Sequence, residues 1–198
     1  DKKETRLIFV GRIAPVKGLR LLIEAMAHLI EEIPELRVTV AGDGPDRAAI
    51  EAAARPLGDR VRFVGYLSQE EVAAAMREAD ICVLPSFAEG VPVVLMEAMA
   101  SSKPVIATTV AGVGELVEND ATGILIPPGD VESLIEAIRN LAVDPALRDA
   151  MGKRGRARVA AEFDINTEAA RLARLFVGAA DGIRPEPLTK PAISGPEL

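Results

Sequence analysis

The sequence has one cysteine and one histidine in 198 residues, and these two scarcities exclude several kinds of chemistry at once. A lone Cys82 permits no disulfide within the chain, which suits a reducing cytoplasm. Its setting in the apolar run "ICVLP" reads as a buried core thiol rather than a nucleophile or ligand. His28 lies in an amphipathic pattern with no Cys, Asp or second His at ligand spacing. It therefore reads as a surface or rim histidine, and neither a zinc site nor a Ser-His-Asp set can be assembled. No uncharged apolar run reaches the roughly 20 residues that a membrane span needs. Positive charge is short as well. A formal net charge of −7 disfavours a general nucleic-acid or anionic-membrane surface, so any bound anion must be held by a few local basic groups. The opening "DKKETR" lacks both the apolar stretch of a signal peptide and an initiator Met, as expected of a piece processed or excised from something longer.

What is present is an alternation of short apolar runs with longer helical patterns. "RLIFVG" precedes "GLRLLIEAMAHLIEEI", in which Leu19, Leu22, Ile23, Met26, Ala27 and Ile30 recur at helical spacing. "RVTVAG" leads to a helix expected from about Pro45, since proline suits a first helical turn. "RVRFVGYL" leads to "SQEEVAAAMREA", where Ser68 and Glu71 have the spacing of a capping box. "ICVLP", "PVIAT" and "TGILIP" supply three more strands, with a short helix near Gly114 between the last two. Two final helical segments run from about Pro145 to Glu162 and from Asn166 to Val177. Short, wholly apolar strands separated by helices predict an α/β fold: a Rossmann-like, doubly wound, six-stranded parallel sheet with helices on both faces. This domain is expected over residues 1–177. Residues 178–198 hold four prolines and no periodicity, and read as a linker or disordered tail.

Open parallel sheets bind ligands beyond the carboxyl ends of their strands, where the strand order reverses. With the common order 3-2-1-4-5-6, that crevice lies between the first and fourth strands. The loops facing it are "GRIAPVKG" and "PSFAEG". In the first, Gly11 ends the strand, and Arg12 and Lys17 flank Pro15 at the entry to a helix, which makes an anion cradle. On local sequence alone both cations read equally as solvated surface charges. In the second, Glu89 lies in the turn, and Pro92 places the helix start near residue 91 or 92. Glu97 then falls about one and a half turns into the helix, and five residues of rise, about 7.5 Å, let the two carboxylates address different parts of one extended ligand. Each carboxylate can accept from two neighbouring hydroxyls, as on a ribose or hexose. The plainer reading leaves Glu89 as a surface turn residue and Glu97 as a helix charge, although the apolar neighbours of Glu97 fit that poorly. "GDGP", residues 42–45, resembles part of a dinucleotide-binding fingerprint without its third glycine, and a turn into a helix accounts for it.

At these residues the sequence resembles the C-terminal, donor-binding domain of a retaining glycosyltransferase of the GT-B fold, in family 4, the glycosyl transferases group 1. The pieces that carry the resemblance are "FVGRIAPVKG", "VAGDGP", "VRFVGYLS", "ADICVLPSFAEGVPVVLMEAMASSKPVIATTVAGVGELV" and "TGILIPPGD". The resemblance implies that Arg12 and Lys17 bind the diphosphate of a nucleotide sugar such as a UDP- or GDP-sugar and stabilise the departing charge. It implies that Glu89 faces the donor sugar near the reacting centre and that Glu97 holds the ribose hydroxyls. Gly11 would let the ligand approach the backbone. Gly90, Val91 and Val93 would line the sugar and phosphate with backbone N–H groups, and Gly65, Tyr66 and Leu67 would border the base. No metal or other cofactor is implied, and the anomeric configuration would be kept.

Two departures accompany the likeness. The family's aromatic-Gly pair is Val91-Pro92 here, which removes one backbone donor. The N-terminal domain that carries most of such an enzyme's acceptor site, and any peripheral membrane association, is expected outside this chain. Two other readings compete: a non-catalytic nucleotide-sugar binding module or subunit needing a separate N-terminal domain, and a glycoside hydrolase using Glu89 and Glu97 as its carboxylate pair. The second leaves Arg12 and Lys17 without a role and ranks last.

Overall fold

Parallel strands cannot be joined by tight turns, so each needs a crossover, and the chain supplies one after every strand. The structure, a computed structural model, describes residues 4–163 together with Ala169 and Ala173. Strand β1 (Thr5–Val10) leads through a 3-10 turn (Pro15–Lys17) to α1 (Leu19–Leu29). Next come β2 (Leu36–Ala41), α2 (Arg47–Ala54) and a second 3-10 stretch (Arg55–Arg60). They are followed by β3 (Val61–Gly65), α3 (Gln69–Glu78), β4 (Ile81–Leu84) and α4 (Val93–Ala100). The series ends with β5 (Val105–Thr108), α5 (Val113–Leu116), β6 (Gly123–Ile126), α6 (Val131–Val143) and α7 (Pro145–Glu162).

All strand pairs are parallel, in the order 3-2-1-4-5-6. Right-handed crossovers that run one way from β1 to β3 and the other way from β4 put their helices on opposite faces. Accordingly α1 packs beside α2 and α6, and α4 beside α3 and α7. The sheet is thereby covered on both sides, and β4 and β5 are buried at every position. The expected doubly wound α/β architecture is the one observed.

Local details differ by a residue or two, for identifiable reasons. The buried stripe of α1 is Leu19, Leu22, Ile23, Ala25, Met26 and Leu29, whereas Ala27 is exposed and Ile30 lies past the helix end. Helix α2 starts at Arg47 rather than Pro45, because the intervening residues turn against the loop after β1, with Asp46 N donating to Ile13 O. Pro92 is extended and caps α4, which begins at Val93. The capping box forms as expected: Glu71 N donates to Ser68 Oγ at 3.3 Å and Ser68 N to Glu71 Oε2 at 2.8 Å. The chain divides into a compact unit over Asp1–Glu162 and a second over Phe163–Leu198, and the architecture above belongs to the first. The helix expected over 166–177 and the tail over 178–198 lie outside the described residues.

Gly18 is where the first and fourth loops meet. It sits at φ 66°, in the left-handed region that favours glycine. A Cβ there would stand 1.9 Å from the carbonyl oxygen of Pro85. Gly18→Ala is therefore expected to cost about 2–4 kcal/mol of stability, from backbone strain plus forced separation of the two loops. Urea unfolding of the variant against wild type measures it; a loss under about 0.5 kcal/mol would show that the loops part freely.

Candidate functional site

The carboxyl ends of β1 and β4 carry the loops that the reversal of strand order sets side by side. They are tied together through the backbone, with Phe87 N donating to Val16 O at 2.7 Å. That contact, and the close approach at Gly18, bring Lys17 over the turn that holds Glu89. Lys17 Nζ donates to Glu89 Oε1 at 2.7 Å, and Ser86 Oγ donates to the same oxygen at 2.6 Å. The Glu89 side chain is 8% exposed and that of Lys17 25%, so the pair is shielded but open on the cation's side. An ammonium has three N–H donors, so the pair leaves Lys17 able to donate to a ligand as well. Ser86 is fully buried, and its carbonyl accepts from the hydroxyl of Thr108 at the end of β5. The loop after β5 closes the same wall: a Cβ on Gly112 would lie 2.8 Å from Val91 Cγ2 and 3.0 Å from Gly90 O.

On the other side of β1 a cleft of about 290 Å³ opens at the ends of β1, β2 and β3. Gly11, Arg12, Gly42, Asp43, Tyr66 and Leu67 line it. A register shift between Val40 and Ala41, which pairs Ala41 with Gly65, displaces the end of β3. Gly42 N then donates to Gly65 O at 2.7 Å, which anchors the departing chain. The Tyr66 ring stands outward at 84% exposure. Arg12 is exposed, and its guanidinium makes no hydrogen bond or ion pair with another described residue. It is a cation without a side-chain partner among the described residues, at the edge of an otherwise mainly apolar cleft. Asp43 is committed, to Gly44 N at 2.7 Å and to Arg47 at 3.2 Å.

Glu97 is the fifth residue of α4 and is half-buried. Its carboxylate has no hydrogen bond or ion pair with a described residue, and burial pushes its pKa above the ordinary carboxylate value. Burial, with a smaller contribution from the charge of Glu97, pushes the Cys82 thiol up to about 12, so that sulfur stays protonated and inert. Among the described residues, no group of three or more His, Cys, Asp and Glu side chains is placed to hold a metal ion. No described helix is long and apolar enough to cross a membrane.

The model of the family described as "Glycosyl transferases group 1" matches residues 1–158. The chain belongs to this family. It is 34% identical over 172 residues to alpha-D-kanosaminyltransferase from Streptomyces kanamyceticus, covering 86% of this chain and 45% of that protein. Sucrose-phosphate synthase from Thermosynechococcus elongatus superposes with a TM-score of 0.83 at 36% identity, over 90% of this chain and 46% of that one. HepE of Anabaena, solved in complex with UDP, superposes with a TM-score of 0.82 at 25% identity, over 89% of this chain and 49% of that one. The C-terminal domain of the group 1 protein LpcC from Francisella tularensis gives a TM-score of 0.76 at 27% identity, over 81% of this chain and 87% of that domain. The chain thus has the Rossmann-like fold of GT-B glycosyltransferases, and it spans about half the length of the curated relatives it matches.

Within this family member the residues singled out from sequence fall into three places. Lys17 and Glu89 form one ion pair, with Gly90 and Val91 beside it. Gly11, Arg12, Tyr66 and Leu67 share one cleft, with Gly65 anchoring its rim. Val93 is exposed at the start of α4, on the helix that also carries Glu97. Arg12 does not join Lys17 at the Glu89 carboxylate. Sequence reasoning missed Ser86 and Thr108, and at Gly42 and Asp43 it preferred a turn to a nucleotide role; the hydroxyl three residues before Glu89 was the available signal. A larger cleft of about 370 Å³ lies between α3 and the sheet, lined among others by Arg6, Arg62, Glu71 and Glu78. It lies away from the paired loops, and its charges are of both signs.

The Glu97 carboxylate yields a prediction whose sign is fixed. A folded-state pKa above the unfolded value means that ionising Glu97 costs the fold stability; the loss begins above the unfolded value and is complete once pH has risen through the raised one. Glu97→Gln is expected to be more stable than wild type at pH 7, with the difference vanishing below about pH 4, where both states of the wild type are protonated. Urea unfolding at the two pH values checks this. A destabilised variant at pH 7 would place a stabilising partner on the carboxylate.

Proposed function

We propose that this chain is the donor-binding half of a retaining, family 4 glycosyltransferase, which moves a sugar from a nucleotide sugar to an acceptor. The observation that carries the reading is the meeting of Lys17 and Glu89 at the reversal of strand order, next to a cleft edged by Arg12, whose guanidinium has no partner among the described residues. The nucleoside would lie in that cleft, bordered by Gly65, Tyr66 and Leu67, with Gly11 allowing close approach to the backbone. The half-buried carboxylate of Glu97 would accept from the ribose hydroxyls, which would supply the partners it otherwise lacks. The diphosphate would run past Arg12 and Lys17, and the sugar would reach Glu89. Gly90, Val91 and Val93 would offer backbone N–H groups along it.

In the transfer the bond from the anomeric carbon to the β-phosphate oxygen breaks, and one from that carbon to an acceptor oxygen forms. The departing nucleoside diphosphate gains negative charge, and the two cations beside it would stabilise the transition state more than the bound ground state. No metal is required in this scheme. The complex of HepE with UDP supports the assignment of the ligand class, and the LpcC domain supports reading the chain as a C-terminal half. The acceptor site would lie on an N-terminal domain, so the isolated chain binds donor without transferring it. The single buried thiol suits a reducing cytoplasm, with any membrane association made through the other half. A hydrolase would need Glu89 free to attack or protonate, whereas it is held by Lys17 and Ser86.

Calorimetric titration of the chain with UDP, GDP, ADP and their sugar conjugates tests the reading. One nucleotide is expected to bind selectively, near the millimolar level or tighter, roughly 4 kcal/mol or more. Glu97→Ala and the double variant Arg12→Ala/Lys17→Ala are each expected to lose at least about tenfold in affinity. A folded wild type that binds none of these ligands at several millimolar would overturn it.

A further inference from the structure

The two donors on Glu89 converge on one oxygen. Lys17 Nζ and Ser86 Oγ both bond Oε1, at 2.7 and 2.6 Å, while Oε2 takes no hydrogen bond from a described residue. The two donors differ in kind. Lys17 is partly exposed on a long, rotatable stem and is itself assigned to a ligand. Ser86 is fully buried with a one-carbon side chain, and its own position is set by the buried Thr108, whose hydroxyl donates to the Ser86 carbonyl. When a diphosphate draws Lys17 toward itself, Ser86 is the donor that remains in place.

We infer that Ser86, held by Thr108, is a positioning residue: it fixes the rotation of the Glu89 carboxylate so that Oε2 is presented to the hydroxyls of the donor sugar, independently of where Lys17 turns. The inference rests on the proposed reading of the site and adds a specificity device to it. A carboxylate free to rotate would share its acceptor lobes among several sugar geometries; one pinned through Oε1 offers a single acceptor direction. The anchor is the buried Ser86, two residues past β4, tied to Thr108 at the end of β5.

The test separates sugar recognition from nucleotide recognition and from folding. Kd is measured for a nucleoside diphosphate and for its sugar conjugate, using whichever of UDP and UDP-glucose, GDP and GDP-mannose, or ADP and ADP-glucose the wild-type chain binds tightest. Ser86→Ala is expected to leave the affinity for the bare diphosphate within about twofold and to weaken the sugar conjugate by roughly tenfold. Thr108→Val, which keeps the shape and removes the hydroxyl, is expected to shift the same ratio in the same direction, and Thr108→Ser to restore it. Should Ser86→Ala not fold, the Thr108 pair carries the comparison. A purely structural role would lower Tm and weaken both ligands alike, or neither, and an unchanged ratio in Ser86→Ala and Thr108→Val with wild type binding normally would overturn the inference alone. Wild type that binds no nucleotide overturns the reading of the site and the inference with it.

Discussion

One carboxylate oxygen gathers the ends of three strands. Glu89 Oε1 receives Lys17 from the loop after β1 and Ser86 from the loop after β4, and Ser86 is in turn held by Thr108 at the end of β5. None of this would be possible if the strand order did not reverse between β1 and β4, because only there do the following loops diverge and leave a crevice. The sheet supplies the geometry, but the ion pair dictates what the loops must be. Gly18 has no side chain because Pro85 occupies that space, and the Phe87 amide is turned toward Val16 to close the join. A shielded ion pair is a weak source of stability by itself, since desolvation offsets much of its attraction. Its cation is partly exposed and keeps further N–H donors, and its anion is held by a second donor, Ser86.

The site divides into parts with opposite electrostatic needs. Lys17 and Glu89 neutralise each other in the resting chain. Arg12 and Glu97 have no partner among the described residues, one exposed and the other pushed toward protonation by burial. Under the proposed reading, a polar ligand would supply what these two groups lack. The fold pays for that incompleteness with a carboxylate in a poorly solvated place, which is common where binding rather than stability sets the residue.

Much of the framework was legible because it follows from pattern alone. Six apolar runs such as "RLIFVG" and "PVIAT" gave the strand number, and their alternation with helical periods gave the winding. Ser68 and Glu71 located the start of α3 because a capping box is a purely local device. The pairing of Lys17 with Glu89 was not legible: it depends on Gly18 nesting against Pro85, a contact between residues far apart in the chain. Arg12 and Lys17, five positions apart, read as one cradle; that Lys17 meets Glu89 while Arg12 lines the cleft at the ends of β1, β2 and β3 follows from the fold and not from their spacing. Ser86 and Thr108 escaped notice because a buried hydroxyl in an apolar run carries no periodic signal. The register shift in β3 was invisible as well, since Val64 continues the apolar run whether or not it is paired.

That shift has a bearing on how such a binding surface can change. Tyr66 extends from an edge strand and is almost wholly in solvent, so replacing it disturbs no packing. Ser86, Thr108 and the flanking residues of β4 and β5 are enclosed on every side, and a change there is felt by the whole sheet. The wall of the cleft can therefore be rebuilt in small steps while the charged centre stays as it is. Under the proposed reading, preference for one base over another and the handling of the phosphate would be separable traits, one written at the margin of the sheet and the other at its middle.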